Sequence, residues 1–233
     1  MQKPVSVVVG IGPGNGSSLS SRWAREGYQV ALLSRNQAQL TEAEQKISGS
    51  KGFVCDATDP ESVRAAYARV RAEMGSVDTL IYNAGSGVWG SLEELGENAL
   101  TDSFQVNAVG LFLAAKQVLP GMLDAGKGTI AVIGASAAWR GRPKSLAFAA
   151  AKAAQRSIAQ SLARDLGPRG IHVFYVVIDG AIDLPRTREM MKAKPDDFFL
   201  KPDDIALSVW NIAQQPKSAW TFEVDLRPFG ESW

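Results

Sequence analysis

Short runs of valine, isoleucine and leucine recur along this chain, separated by longer stretches in which apolar residues return every three or four positions. Apolar runs of four to seven residues without polar alternation read as strands covered on both faces of a sheet. Seven stand out, at 5–9, 29–33, 52–55, 79–82, 129–133, 171–177 and 221–224. Helical spacing fills 16–26, 37–47, 60–74, 100–123, 146–166 and 202–214. Asp59-Pro60-Glu61 supplies a cap, a proline at the first helical position and an acid in the first turn. Pro202-Asp203-Asp204 starts another helix with acids that its dipole favours, and Gly167-Pro168 ends the helix at 146–166. The alternation predicts an α/β fold, a doubly wound parallel sheet of about seven strands flanked by helices. Ligands are then expected at the carboxyl ends of the strands.

Length and charge narrow the picture. A chain of 233 residues suffices for one large domain over 1–233, and no repeat or linker divides it. Its 25 lysines and arginines nearly cancel 24 acids, leaving no broad field to attract nucleic acid or a membrane surface. A single cysteine, Cys55, excludes an internal disulfide and a cysteine metal cluster, and reads as a small buried hydrophobe. The apolar run at 5–10 is too short to span a membrane and lacks a cleavage signal, so a cytoplasmic protein is expected.

Candidate chemistry begins after the first strand, at Gly10-Ile11-Gly12-Pro13-Gly14-Asn15-Gly16. Glycines let a backbone turn sharply and approach a pyrophosphate, whose charge suits the helix N-terminus that follows. The spacing of Gly10, Gly14 and Gly16 is G-x-x-x-G-x-G, which also occurs in turns that are merely structural. Its position between an N-terminal strand and a helix favours a nucleotide, with Asn15 in the same turn. The second strand runs into Ser34-Arg35, where a site preferring NAD would place a carboxylate. The Arg35 guanidinium can clamp a 2′-phosphate, so NADP(H) is favoured over NAD(H). The plainer alternative for Arg35 is a solvated charge at a helix start.

Four further segments give the pattern a family likeness. They are Cys55-Asp56-Ala57-Thr58-Asp59, Tyr82-Asn83-Ala84-Gly85, Val106-Asn107-Ala108 and Pro168-Arg169-Gly170-Ile171-His172-Val173. Together with the glycine turn, and in this order, they resemble the short-chain dehydrogenase/reductases over nearly the whole chain. The resemblance implies a Rossmann-type sheet and a nicotinamide cofactor. It places Asp56 and Ala57 at the adenine, and adds Asn83, Ala84, Gly85 and Ile182 to the cofactor site. Asn107 would anchor a water in a proton relay, and Lys152 would hold the nicotinamide ribose. Tyr82 stands where the family has an asparagine.

The departures matter most. In the family, a serine and a tyrosine polarise a carbonyl, the tyrosine exchanges a proton, and the lysine lowers that tyrosine's pKa. In this chain the tyrosine position falls on Phe148 and the serine position on Ala135, with Ser136 one place later. A one-residue shift would bring Ser136 into the serine's role. No shift rescues the tyrosine, because Tyr82 and Tyr175 lie in other strands. General acid–base catalysis contributes roughly 10²–10⁴-fold and one oxyanion donor about 10²–10³-fold. Positioning alone still supplies about 7–11 kcal/mol. The expectation is an NADP(H)-dependent oxidoreductase that reduces a small apolar carbonyl, imine or activated double bond, with ordinary ketone reduction disfavoured. A silent cofactor-binding protein acting as a regulatory or structural partner is the alternative.

Other residues carry smaller expectations. Asp179 replaces the proline of the family's Pro-Gly after the sixth strand, where a partly buried carboxyl is a candidate proton donor or, more simply, a turn cap. Trp139 and Arg140 are candidates to line the pocket, though Arg140 suits a surface role equally. His172, the single histidine, is expected to be structural. The segment 184–200, with two methionines and Phe198-Phe199, resembles the family's substrate lid and points to an apolar or aromatic small-molecule substrate. An oligomer contact would use the same residues. The aromatic segment 218–228 reads as a last strand and a subunit contact. The resemblance also implies a homodimer or homotetramer paired through the helices at 100–123 and 146–166, where Ala147, Ala150, Ala151 and Ala154 permit close approach.

Overall fold

The computed structural model describes residues 3–230. The first half runs β1 (Val5–Val9), α1 (Asn15–Arg25), β2 (Gln29–Ser34), α2 (Gln37–Lys46), β3 (Ser50–Val54), α3 (Pro60–Met74) and β4 (Val77–Tyr82). Next come α4 (Ala99–Phe104), a π-helical turn (Gln105–Val109), α5 (Gly110–Ala125), β5 (Gly128–Ile133), α6 (Leu146–Leu166) and β6 (Ile171–Ile178). The chain then forms β7 (Ala181–Ile182), α7 (Pro185–Met190), β8 (Phe199–Leu200), α8 (Pro202–Ala213) and β9 (Glu223–Leu226). Seven strands form one parallel sheet in the order β3-β2-β1-β4-β5-β6-β9, with β7 and β8 paired separately.

The two-residue period of a strand divides the core into two layers. Val7, Val9, Val173 and Tyr175 face one layer, packed with Tyr67, Val70, Leu111 and Ala159 from α3, α5 and α6. Val8, Phe174 and Val176 face the other, with Leu19, Trp23, Leu40 and Val209 from α1, α2 and α8. Burial on both faces explains why these strands read as unbroken apolar runs, as in β6, whose eight residues are all buried. Strand order reverses between β1 and β4, which opens a crevice at their carboxyl ends.

Where the structure departs from the sequence reading, local polar groups are responsible. The helix expected at 100–123 runs from Ala99 to Ala125 but contains a π turn around Asn107. The last strand starts at Glu223, two residues later than expected, because Gln215 captures Thr221. Gln215 accepts from Thr221 N at 2.8 Å and donates to Thr221 Oγ1 at 2.9 Å. The expected interfacial face of α6 also needs correction. Ala147 and Ala151 are fully buried within their own chain, while Ala150 and Ala154, a quarter-turn round the helix, are half-buried. The span Ala99–Ala125 is long and apolar enough to cross a membrane, yet α4 here packs on α6, and α5 on β4.

Candidate active site

A cleft of about 550 Å³ opens at the β1–β4 switch point. Its floor is the glycine turn. Gly10 has φ 93° and Gly14 φ 98°, a region that favours glycine. A β-carbon on Gly10 would lie 2.6 Å from the backbone of Ala84, so the turn and the end of β4 meet without room for a side chain. Asn83 fastens that contact by donating from Nδ2 to Gly10 O at 2.8 Å. The N-terminus of α1, with Asn15 and Gly16, faces into the same cleft and suits an anion.

Ser34, Arg35, Asp56 and Ala57 line one end of the cleft, while Ala84, Gly85 and Ile182 line it elsewhere. Asp56 Oδ1 accepts from Thr58 N at 2.9 Å and Thr58 Oγ1 at 2.7 Å. Burial opposes ionisation of Asp56, but the Thr58 bonds and the Arg35 charge outweigh it and hold the carboxyl below its usual range. Arg35 is 72% exposed and lies 4.0 Å from Asp56 Oδ2, which leaves most of its fork open to the cleft. The cleft therefore fits a dinucleotide on two structural observations. Glycines clear its floor, and Asn15 Oδ1 and Asn107 Oδ1 are buried beside it without hydrogen-bond partners.

Lys152 and Asn107 converge beyond Gly85. A β-carbon on Gly85 would stand 3.2 Å from Asn107 Oδ1 and 3.5 Å from Lys152 Nζ. Lys152, inward-facing on α6, donates to Ile133 O at 3.1 Å and to Gln155 Oε1 at 2.9 Å. Burial away from water lowers its pKa to about 7. Asn107 Nδ2 donates to Ser103 O at 2.9 Å and Ser86 O at 3.1 Å, which fixes its side chain across the π turn. Side chains from other elements bond two carbonyls of the π turn: the Tyr82 hydroxyl donates to Val106 O, and Gln155 Nε2 donates to Asn107 O at 2.9 Å.

The remaining expected residues are placed as follows. Phe148 lies one turn before Lys152, its ring 5.9 Å from Nζ and packed, tilted by 39°, at 5.0 Å from the ring of the half-exposed Trp89. Ala135 is extended, and Ser136, half-buried, opens a 3-10 turn whose backbone accepts from Trp139 N. Trp139 and Arg140 follow it at the surface, with Trp139 43% exposed. Asp179 Oδ2 lies 3.2 Å from Arg227 Nη1 and 3.5 Å from Arg140 Nη2, so the carboxylate ties β6 to the chain after β9 and the loop after β5. The segment 184–200 folds as α7 and β8, and Leu184 packs on Gly14. Arg188 fastens this segment by pairing with both oxygens of Asp183, at 2.7 and 2.8 Å, and lying over the Phe199 ring at 4.0 Å. His172 stacks on Trp220 at 4.7 Å, and its Nε2 lies 2.9 Å from Thr221 O.

Two site residues escaped the sequence reading. Gln155 left a trace, a lone amide three positions after Lys152 on an otherwise alanine-rich face. Trp89 left none, since it sits in a glycine-rich loop without periodicity.

A glycine-floored cleft at the switch point of a doubly wound parallel sheet, with a buried lysine at its inner end, defines a dinucleotide-binding oxidoreductase architecture. Residues 4–194 match the short chain dehydrogenase family, and the chain belongs to it. It is 34% identical over 226 residues to 2-(S)-hydroxypropyl-CoM dehydrogenase 3 of Xanthobacter autotrophicus, covering 90% of this chain and 89% of that one. An uncharacterised oxidoreductase of Staphylococcus saprophyticus is 29% identical over 98% of both chains. Among solved structures, an alcohol dehydrogenase from the archaeon Thermococcus sibiricus complexed with 5-hydroxy-NADP superposes with a TM-score of 0.87, at 26% identity over 99% of each chain. A metagenomic short-chain oxidoreductase in complex with NADP superposes at 0.85, with 25% identity over 98% of each.

Proposed function

We propose that this chain is an NADP(H)-dependent reductase whose acceptor carries its own activation, an imine, iminium or conjugated double bond with apolar or aromatic substituents. The observation that carries this reading is Phe148 at the tyrosine position, its ring packed at a tilt against Trp89 and facing Lys152. A bound reduced nicotinamide supplies hydride. An iminium so reduced would need no proton, a neutral imine would react as its iminium, and an enone would leave a stabilised enolate that water can protonate, whereas a ketone would leave a strongly basic alkoxide. The Phe148 and Trp89 faces favour a planar, electron-poor acceptor and stabilise positive charge on it. Gly10, Gly14, Asn15 and Gly16 would hold the pyrophosphate, Arg35 the 2′-phosphate, Asp56 and Ala57 the adenine, and Asn83, Ala84, Gly85 and Ile182 the inner half. Lys152 would hold the nicotinamide ribose, with Asn107 beside it. Ser136 stands next to the serine position as the hydroxyl available to orient a polar group.

The reading includes a single unit over 1–233, a cytoplasmic setting and a homo-oligomer. Leu100 on α4 and Phe112 on α5, 45% and 50% exposed, support pairing through these helices.

NADPH and NADH titrations should be followed by turnover on cyclic iminium ions, enones and ketones. Tighter binding of NADPH and reduction of iminium ions or enones in preference to ketones are expected. Phe148→Tyr should raise ketone reduction by about 10²-fold. NADPH binding without turnover on any acceptor, before and after that change, would overturn the reductase in favour of a silent binding protein.

A further inference from the structure

Gln155 lies outside the cleft, yet it touches two of the residues assigned to it. It is fully buried on α6, three positions after Lys152, so both side chains rise from the same face of the helix. Its Oε1 accepts from Lys152 Nζ at 2.9 Å, and its Nε2 donates to Asn107 O at 2.9 Å. Leucine or methionine would fill the same volume without burying an amide. A buried amide costs about 1–3 kcal/mol when its hydrogen bonds are not made. Here each end is bonded, one to the lysine and one to a carbonyl of the π turn.

The arrangement also fixes a direction. An ammonium has three donors. Two are held by Ile133 O and Gln155 Oε1, and the third is left for the side toward Gly85, where Asn107 Oδ1 is buried without a partner. We propose that Gln155 is a positioning residue that couples the Lys152 amine to the π turn at Asn107 and so aims the lysine's remaining donor at the inner end of the cleft. In its catalytic consequence, this rests on the reductase reading above. The coupling itself is a property of the chain alone.

The surroundings of Lys152 make its titration a clean readout. Among the described residues its ammonium hydrogen-bonds to amide oxygens alone, from β5 and α6, and the π turn presents Asn107. From β6, Tyr175 is the titratable neighbour. Its hydroxyl donates to Lys152 O at 3.4 Å, and burial pushes the phenol well up, so it stays neutral while the lysine titrates. Asp179, Arg140 and Arg227 are engaged with one another. Phe148 contributes only a ring face.

The test uses the full-length protein carrying ¹³C-labelled lysine, with Lys152→Met to assign the resonance. Without cofactor, the Lys152 titration is followed by NMR in the parent, Gln155→Met and Gln155→Glu. Loss of the acceptor oxygen in Gln155→Met should move the titration down, and the added charge in Gln155→Glu should move it up. With NADPH and an iminium acceptor, both variants should keep NADPH affinity and lose kcat on the order of 10- to 100-fold, with the pH–rate profile moving alongside the lysine. If Gln155→Met folds poorly, Gln155→Glu decides alone, since it keeps an oxygen for Lys152 and loses the donor to Asn107. Titrations identical to the parent would overturn the proposal, as would a kcat loss with an unmoved pH profile. If the parent shows no turnover, the reductase reading fails, while the titration of the cofactor-free protein still decides the role of Gln155.

Discussion

A lysine enclosed by amide oxygens with no counter-charge bonded to it titrates differently in the folded and unfolded chain, and this makes Lys152 visible in stability. Burial lowers its pKa to about 7 from an ordinary 10.5. Between those values the unfolded chain holds a proton that the folded protein has released. Stability from this group therefore rises with pH through the window and is flat outside it. The slope is at most about 1.4 kcal/mol per pH unit. Urea unfolding at pH 7 and pH 9 should show the parent gaining on Lys152→Met by a corresponding amount; parallel changes in the two proteins would place the amine in water. Gly10 offers a second test at this scale. Alanine there combines φ 93° with a β-carbon 2.6 Å from Ala84. Gly10→Ala should cost about 1–3 kcal/mol and weaken NADPH binding, both read by thermal shift with and without cofactor.

Among the elements, the π turn joins chemistry to fold, and Tyr82 is the residue to change. Its hydroxyl donates to Val106 O from the end of β4, and no space remains above Gly110 for anything larger. Tyr82→Phe should destabilise the protein by about 1–3 kcal/mol by leaving a buried carbonyl unsatisfied, and denaturant unfolding measures it. An unchanged midpoint would show that water reaches Val106 O. This turn also marks where the sequence stopped being legible. β1, α3 and α6 could be read to the residue because burial on both sheet faces, the Asp59-Pro60 cap and Gly167-Pro168 each leave a local signal. The π turn leaves none, since its partners Tyr82 and Gln155 are 24 and 48 residues distant in the chain. Gln215 delays β9 by a side-chain bond that no periodicity records. Within the site, the glycine turn, Asn83 and Lys152 were legible because motif spacing carries them. The ion pairs of Asp179 left no trace, because Arg140 and Arg227 approach from other elements.

Across the whole molecule, one edge of the sheet depends on polar ties, and the single histidine sits among them. β9 is the outer strand beside β6 and is only partly buried. Three fastenings hold that edge: Arg156 with Glu223, Arg227 with Asp179, and His172 with Trp220 and Thr221. The first two are ion pairs, whereas the third is built around a ring that titrates. Burial lowers the His172 pKa below 6.5, with the bond to Thr221 O opposing it only in part. Its Nδ1 is buried without an acceptor, so an imidazolium would carry a second donor with nothing to receive it. The folded protein thus binds fewer protons than the unfolded chain between the lowered value and 6.5. Stability from this group is complete above pH 6.5 and falls as acid drives the pH toward the folded value. His172→Phe keeps a ring against Trp220 and removes the titration. Comparing denaturant midpoints at pH 7.5 and pH 5.0 isolates the effect from carboxylates common to both proteins. The parent should lose more stability on acidification than His172→Phe, with earlier amide exchange along β9. An equal loss in both proteins would mean that the edge is held by its ion pairs alone.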